Sequence, residues 1–265
     1  MSGIARYLRI YVAFVRFSCS RAMAFRLDFF FRVGMDALWY ATHLAFFAVI
    51  YGHTAELGGW TREQAFVFCG ALFVADALQM TFFANNLHWL PILINKGDLD
   101  YHLVRPVSPL FVLTLREFAA NSAINLAMAL AILAWALARY EGPLPVVNVI
   151  AFAVLLVCGV VLFGLLHLLF VIPTFWLHTP RGLRDVFYGL VNTWCRPHRI
   201  YTGWLRRVLT TVLPFAVIVS YPVEALLAGP SLALVCHVAA VLAGAAIAVA
   251  VVWRAGLVAY SSASS

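Results

Sequence analysis

The chain has 265 residues, of which 64% are hydrophobic and only 11% charged, with a formal net charge of +7. No water-soluble fold of this length has enough interior to hide so much apolar surface, which excludes a soluble enzyme or binding module. Several apolar runs exceed the roughly 20 residues that cross a bilayer as helix, so the expected fold class is all-α and polytopic, one membrane domain over 1–265.

The positive charge begins at the N-terminus. Arg6, Arg9, Arg16, Arg21, Arg26 and Arg32 all precede the first long apolar run. This places the N-terminus in the cytoplasm by the positive-inside rule and accounts for the basic balance without nucleic acid. Arginines interrupt the stretch throughout, so it does not read as a cleavable signal peptide. Residues 3–24 predict an amphipathic helix, with Ile4, Tyr7, Leu8, Tyr11, Phe14 and Val15 on one face and Arg6, Arg9, Ala13, Arg16 and Ser20 on the other. Two arrangements fit within the cytoplasmic or interfacial element 1–32. The helix lies in the inner headgroup layer, with Arg6, Arg9 and Arg16 at the membrane interface meeting anionic lipid, or it packs against the bundle.

The first span is expected over 33–51. Asp28 and Arg32, and Arg32 and Asp36, stand four residues apart, the spacing of ion pairs that fix a helix's depth. Gly52, Gly58 and Gly59 mark a short outer loop, and Thr61 and Gln64 are spaced as a capping box. The second span, 63–90, carries Asp76 and Gln79 in its middle and Asn85, Asn86 and His88 towards its inner end. Exposing a carboxylate to lipid costs about 2.5–3.5 kcal/mol even on the lenient insertion scale. Asp76 therefore either lines a functional path or hydrogen-bonds to a neighbouring helix.

Between the second and third spans comes a charged insert, 91–110, holding the chain's only lysine, Lys96, with Asp98, Asp100 and Arg105. Gly97 permits a turn, Asp98 is placed to cap the first turn of a short helix, and Pro106 to end it. Leu99 and Leu103, four apart, share one face of that helix. Such a helix between two spans is suited to being pressed by another protein, while the plainer reading is a connector.

The third span is expected over 110–138, with Arg116 and Glu117 near its start, followed by a tight outer turn at Glu141–Pro145. A fourth span runs over 146–172 and stops at Pro173, and His178, Arg181 and Arg184 return the chain to the inner side. Two readings compete for 185–230. Either 185–207 is cytoplasmic and 208–228 is the fifth span, as the cluster of Arg196, Arg199, Arg206 and Arg207 favours. Or a short fifth span ends near Pro197 and a broken hairpin, 197–229, dips into the outer leaflet, as Pro214, Pro222, Ser220, Tyr221 and Glu224 favour. The last span is 231–253, anchored by Arg254, with a small-residue ladder at Ala240, Gly244 and Ala248.

Chemistry-bearing motifs are sparse. The only lysine is followed by Gly97 and Asp98, so there is no phosphate-binding Walker A loop, and neither HExxH nor GxSxG occurs. The five cysteines, Cys19, Cys69, Cys158, Cys195 and Cys236, form no CxxC pair or disulfide framework. His43, His88 and His102 fall at span edges, where interfacial hydrogen bonding explains them. No catalytic residue, metal or cofactor is expected on this chain.

The basic entry helix, the six spans and the run Gly97-Asp98-Leu99-Asp100-Tyr101-His102-Leu103-Val104-Arg105-Pro106 resemble the membrane subunits of type-two ATP-binding-cassette exporters, in a branch of six-span permeases. The run 197–207, with Leu213-Pro214-Phe215 and Pro222–Leu227, is similar to that class's outer re-entrant hairpin. The resemblance covers essentially the whole length. It implies a multi-pass subunit of the bacterial cytoplasmic membrane with both termini inside. Such a subunit works with a dimer of ABC ATPase chains, which bind the ATP and Mg²⁺, and with a second permease copy or a homologous permease. It implies that Lys96, Gly97, Asp98, Leu99, Asp100, Leu103, Arg105 and Pro106 form the ATPase-coupling segment, with Leu99 and Leu103 filling a notch on the ATPase. Asp76, Gln79 and Glu224 are the candidate translocation-path residues. Two other classes compete: a proton-coupled transporter using Asp36, Asp76 or Glu117, and a membrane-embedded lipid-modifying enzyme using His88 and His102. Spans rich in phenylalanine and aliphatics favour an amphipathic or lipid-like cargo over a sugar.

Overall fold

The computed structural model describes residues 3–22, 26–120, 122–177, 181–192 and 195–260, and among them every regular element is helical. Five helical stretches are long and apolar enough to cross a membrane: Phe30–His53, Arg62–Lys96, Ser122–Arg139, Val146–Leu177 and Leu232–Ala259. The two ends of the bundle are named here by Gly58 and Lys96.

The entry helix α1 (Gly3–Ala22) forms over the expected residues. The first crossing, α2 (Arg26–His53), leads to the turn at Gly58 and Gly59, both left-handed at φ 61° and 76°. A β-carbon is disfavoured in that conformation, so glycine is required there. The second crossing starts with the expected capping box. Thr61 Oγ1 accepts from the Gln64 N–H, and the Thr61 N–H donates to Gln64 Oε1 at 3.1 Å. It continues through α3 (Arg62–Gln79), a π-helical turn at Met80–Ala84 and α4 (Asn85–Lys96), six residues beyond the expected end. After the single-turn α5 (Asp100–Leu103), the third crossing departs from expectation. It is split into α6 (Pro109–Leu115) and α7 (Ser122–Arg139).

The split is stabilised by the π turn opposite. The Ala119 N–H donates to the Thr81 carbonyl at 3.1 Å. Asn86 acts as a side-chain clasp: its Nδ2 donates to the Glu117 and Phe82 carbonyls, both at 2.9 Å, and its Oδ1 accepts the Glu117 N–H at 2.7 Å. Irregular backbone at membrane depth survives where protein groups satisfy it, and here two irregularities satisfy each other.

The fourth crossing is α8 (Val146–Val171), extended past Pro173 by α9 (Thr174–Leu177). Then α10 (Arg181–Val191), 11 residues or about 17 Å long, is too short to cross alone. Its Arg184 shares a small cavity with His88 and Pro91, towards the Lys96 end, and Phe187 packs on Phe163, His167 and Phe170. By the 3₁₀ turn at His198–Ile200 the chain has reached the other end, where a β-carbon on Gly58 would stand 3.3 Å from Arg199 and Ile200. Next, α11 (Gly203–Thr211) and α12 (Val217–Ala228), bent 74° to one another, form a hairpin. Its tip residue Phe215 packs on Phe163 and Phe187, and Leu226 offers its carbonyl to Asn148 Nδ2 at 3.1 Å. Both ends of the bent pair therefore lie towards Gly58, beside Arg199 and Asn148. The last crossing is α13 (Leu232–Ala259). His178 lies outside the described residues.

The main core is centred on α3, with Phe68, Leu72 and Phe73 fully buried. Close approach is made by single glycines: a β-carbon on Gly70 would fall 2.7 Å from Leu133 Cα, and one on Gly159 would overlap the Ile218 carbonyl. The small-residue ladder of α13 does no such work, because Gly244 faces open space. A second, smaller core lies at the Lys96 end, built from Leu87, Leu90, Leu99, Leu113, Phe175 and Trp253 among others.

Candidate functional site

The insert 91–110 is shaped by a turn and an inward anchor. Gly97, at φ 78°, ends α4 in the left-handed conformation as expected. Leu99 and Leu103 do share a face, but it is turned inward, which corrects their expected role as the outward pair. Leu99 is fully buried in the smaller core and Leu103 packs half-buried beside it, because Leu87, Leu90 and Leu113 supply the apolar surface that a leucine fills. Asp98 is not the cap. α5 starts at Asp100 with Leu99 at the N-cap and no side-chain bond there, and it ends before Pro106, at Val104. What faces outward is Tyr101 (69% exposed) and Val104 (82% exposed), rimmed by exposed Lys96, Arg105 and Pro106, with Asp98 and Asp100 half-buried. Burial, then the charges of Arg105 and Arg116, hold the buried His102 below its ordinary pKa, so its ring is neutral at pH 7.

Two further elements brace this segment. From α1, the Tyr7 hydroxyl accepts the Ser108 N–H at 3.1 Å and the Tyr7 ring meets Phe111 edge-on, with centroids 4.7 Å apart. Ser18 Oγ accepts the Phe118 N–H at 3.2 Å. α1 thus packs on the bundle while exposing Arg6, Arg9 and Arg16, and Leu8, assigned to its apolar face, is exposed too. From the end of α13, Tyr260 packs edge-on against Phe175, and burial with the neighbouring Asp100 carboxylate raises its pKa.

The second feature is a cavity of about 750 Å³ bounded by α2, α3, α8 and α10. Asp76 and Gln79 line it, together with Met80 and Ala84 of the π turn. Asp36 joins them from α2, its carboxylate accepting Asn125 Nδ2 from α7. The Trp39 and His43 rings meet at a tilt of 49° with centroids 4.2 Å apart, and His167 stacks on Phe187 at 4.2 Å. Glu224, the third candidate path residue, is not part of this wall. It pairs with Arg199 and lies 3.8 Å from His198 Nε2, a cluster that fastens α12 to the chain around His198. His167, Asn125 and Trp39 were not anticipated; the signal was available for His167, the one histidine in the 26 residues of α8.

His88 and His102, grouped by the enzyme reading, line different cavities. Among the described residues no group of three or more His, Cys, Asp or Glu could hold a metal ion.

A family model described as "ABC-2 family transporter protein" matches residues 37–264. No curated protein and no solved structure matches the chain. The family match takes in nearly every crossing, the hairpin and the cavity, and the helical architecture agrees with it: the chain belongs to the ABC-2 family of transporter proteins and is a multi-pass membrane subunit rather than a catalytic one.

Proposed function

We propose that this subunit forms part of the translocation path of an ATP-driven exporter in the bacterial cytoplasmic membrane, driven by separate ABC ATPase chains. The observation that carries the reading is the outward pair Tyr101 and Val104 on a turn whose other face is held by fully buried Leu99. An exposed apolar pair on a braced turn is suited to a partner's groove, where aromatic anchors dominate small contacts. The Lys96 end and both termini face the cytoplasm in this reading, and a second permease, identical or homologous, completes the path. ATP and Mg²⁺ belong to the ATPase.

The same geometry supports a route for force. α4 joins the segment directly to the π turn, two of whose residues wall the cavity. Pressure on α5 is carried through Leu99 into the smaller core and along α4, and the π turn with its matched break after Leu115 is where the wall yields. The test is reconstitution. The chain purified alone hydrolyses no ATP, and hydrolysis with ATP-dependent transport appears only with its ATPase partner. Hydrolysis by the rigorously pure chain, or transport that survives ATP depletion but not collapse of the proton gradient, rejects the reading.

A further inference from the structure

We infer that the cavity between α2, α3, α8 and α10 takes the ammonium head of an amphipathic amine. Its role as cargo site rests on the proposed function; its binding chemistry does not.

The wall is rich in acceptors that nothing answers. The Asp76 carboxylate faces the cavity and has neither hydrogen bond nor ion pair among the described residues. One helical turn along, Gln79 is 4% exposed and its Oε1 has no partner. Across the cavity His167 is 6% exposed and its Nδ1 has no partner. That nitrogen is an acceptor when the proton sits on Nε2. A buried acceptor left unmade costs about 1–3 kcal/mol, so Gln79 and His167, beside the Asp76 carboxylate, mark a place for a donor with positive charge.

The protein's own cations do not fill it. The acceptor need of Asp36 is met by Asn125, with Arg32 nearby. Arg196 lines the cavity at the Gly58 side, where its neighbour Cys195 lies by Cys69 and its own guanidinium engages Tyr201. Cys69 stands two helical turns, about 10 Å, from Asp76. The wall also holds the aromatic side chains of Trp39, Phe163, Phe187 and Tyr188, whose rings attract a cation and accept an apolar body. The volume falls within the 300–1,000 Å³ or so of small-molecule sites. An anion is opposed by the two carboxylates, Asp36 and Asp76.

The probe is monodansylcadaverine, a fluorescent aromatic body with a primary ammonium, compared with its neutral N-acetyl derivative on the full chain in lipid nanodiscs. The wild type is expected to bind the amine at least about tenfold more tightly than the acetylated probe, the scale of one charge-assisted contact. Asp76→Asn removes that preference, Gln79→Leu reduces it several-fold, and Glu224→Gln, outside the cavity, leaves it unchanged. Gln79→Leu keeps the carboxylate, so it still reads the site if Asp76→Asn does not fold. Equal binding of the two probes to the wild type, or an undiminished preference in both Asp76→Asn and Gln79→Leu, overturns the inference. Association with the ATPase partner is scored in parallel: probes that fail to discriminate while association is intact reject the amine site alone, whereas lost association in the wild type rejects the transporter reading.

Discussion

At the Lys96 end, α5 is one turn long, hangs on Leu99 and shows Tyr101 and Val104 to solvent. At the Gly58 end, the hairpin buries every residue from Pro214 to Ser220 and, further along α12, Val223 and Leu226. Both are short, proline-flanked interruptions between long crossings, yet one is half surface and the other mostly interior on its returning arm. The hairpin is fastened along its length: Ser220 Oγ accepts the His198 N–H at 3.1 Å, and the Ile218 carbonyl sits against Gly159. The Lys96 turn is held by the buried side chain of Leu99. An element that is finished by its own chain hides its apolar residues, and one that leaves them out is waiting for a surface to complete it.

The sharpest way to break this contrast is Leu99→Ala. Truncating a fully buried leucine costs about 2–5 kcal/mol, so thermal unfolding of the purified chain should shift markedly and the turn should lose its geometry. An unshifted transition means the smaller core does not hold α5. On the hairpin side, Gly159→Ala forces the α8–α12 pair apart and should cost about 1–3 kcal/mol, read in the same melt, while association with an ATPase is spared. If it instead abolishes association and leaves the melt alone, the two ends are not independent.

A third test uses pH. His102 titrates below its ordinary value because the fold keeps it neutral. Its contribution is therefore complete above the unfolded pKa of about 6.5 and is lost as pH falls below it, where the unfolded chain binds the extra proton. Stability should decline from pH 7 to pH 5 more steeply in the wild type than in His102→Gln, and parallel declines contradict the assignment. The smallest effect belongs to Glu224→Gln: its partner Arg199 is substantially exposed, so the pair should contribute less than about 1 kcal/mol. A larger loss in the melt would make the hairpin depend on charge rather than burial.

Much of this was legible in the residues. The apolar runs mark the crossings, Thr61 and Gln64 announce the capping box, and Gly97 marks the end of α4. The break of the third crossing was not, although Arg116 and Glu117 stand at it, because the groups that satisfy it, Thr81 and Asn86, lie 38 and 31 residues before their partners Ala119 and Glu117. The Leu99–Leu103 spacing shows that two leucines share a face, but spacing carries no information on whether that face meets the chain's own core or a partner. Glu224 reads as an intramembrane carboxylate until Arg199 and His198 are seen beside it, 25 and 26 residues before it in the chain.

The most direct test of the central claim is co-purification of the ATPase partner with the double variant Tyr101→Ala, Val104→Ala. Both side chains are exposed, so the melt should match the wild type, while ATPase recovery should fall at least about tenfold, as expected when the anchors of a small contact are removed. Full recovery of the ATPase with an unchanged melt would contradict the claim and leave the Lys96 turn as no more than a connector.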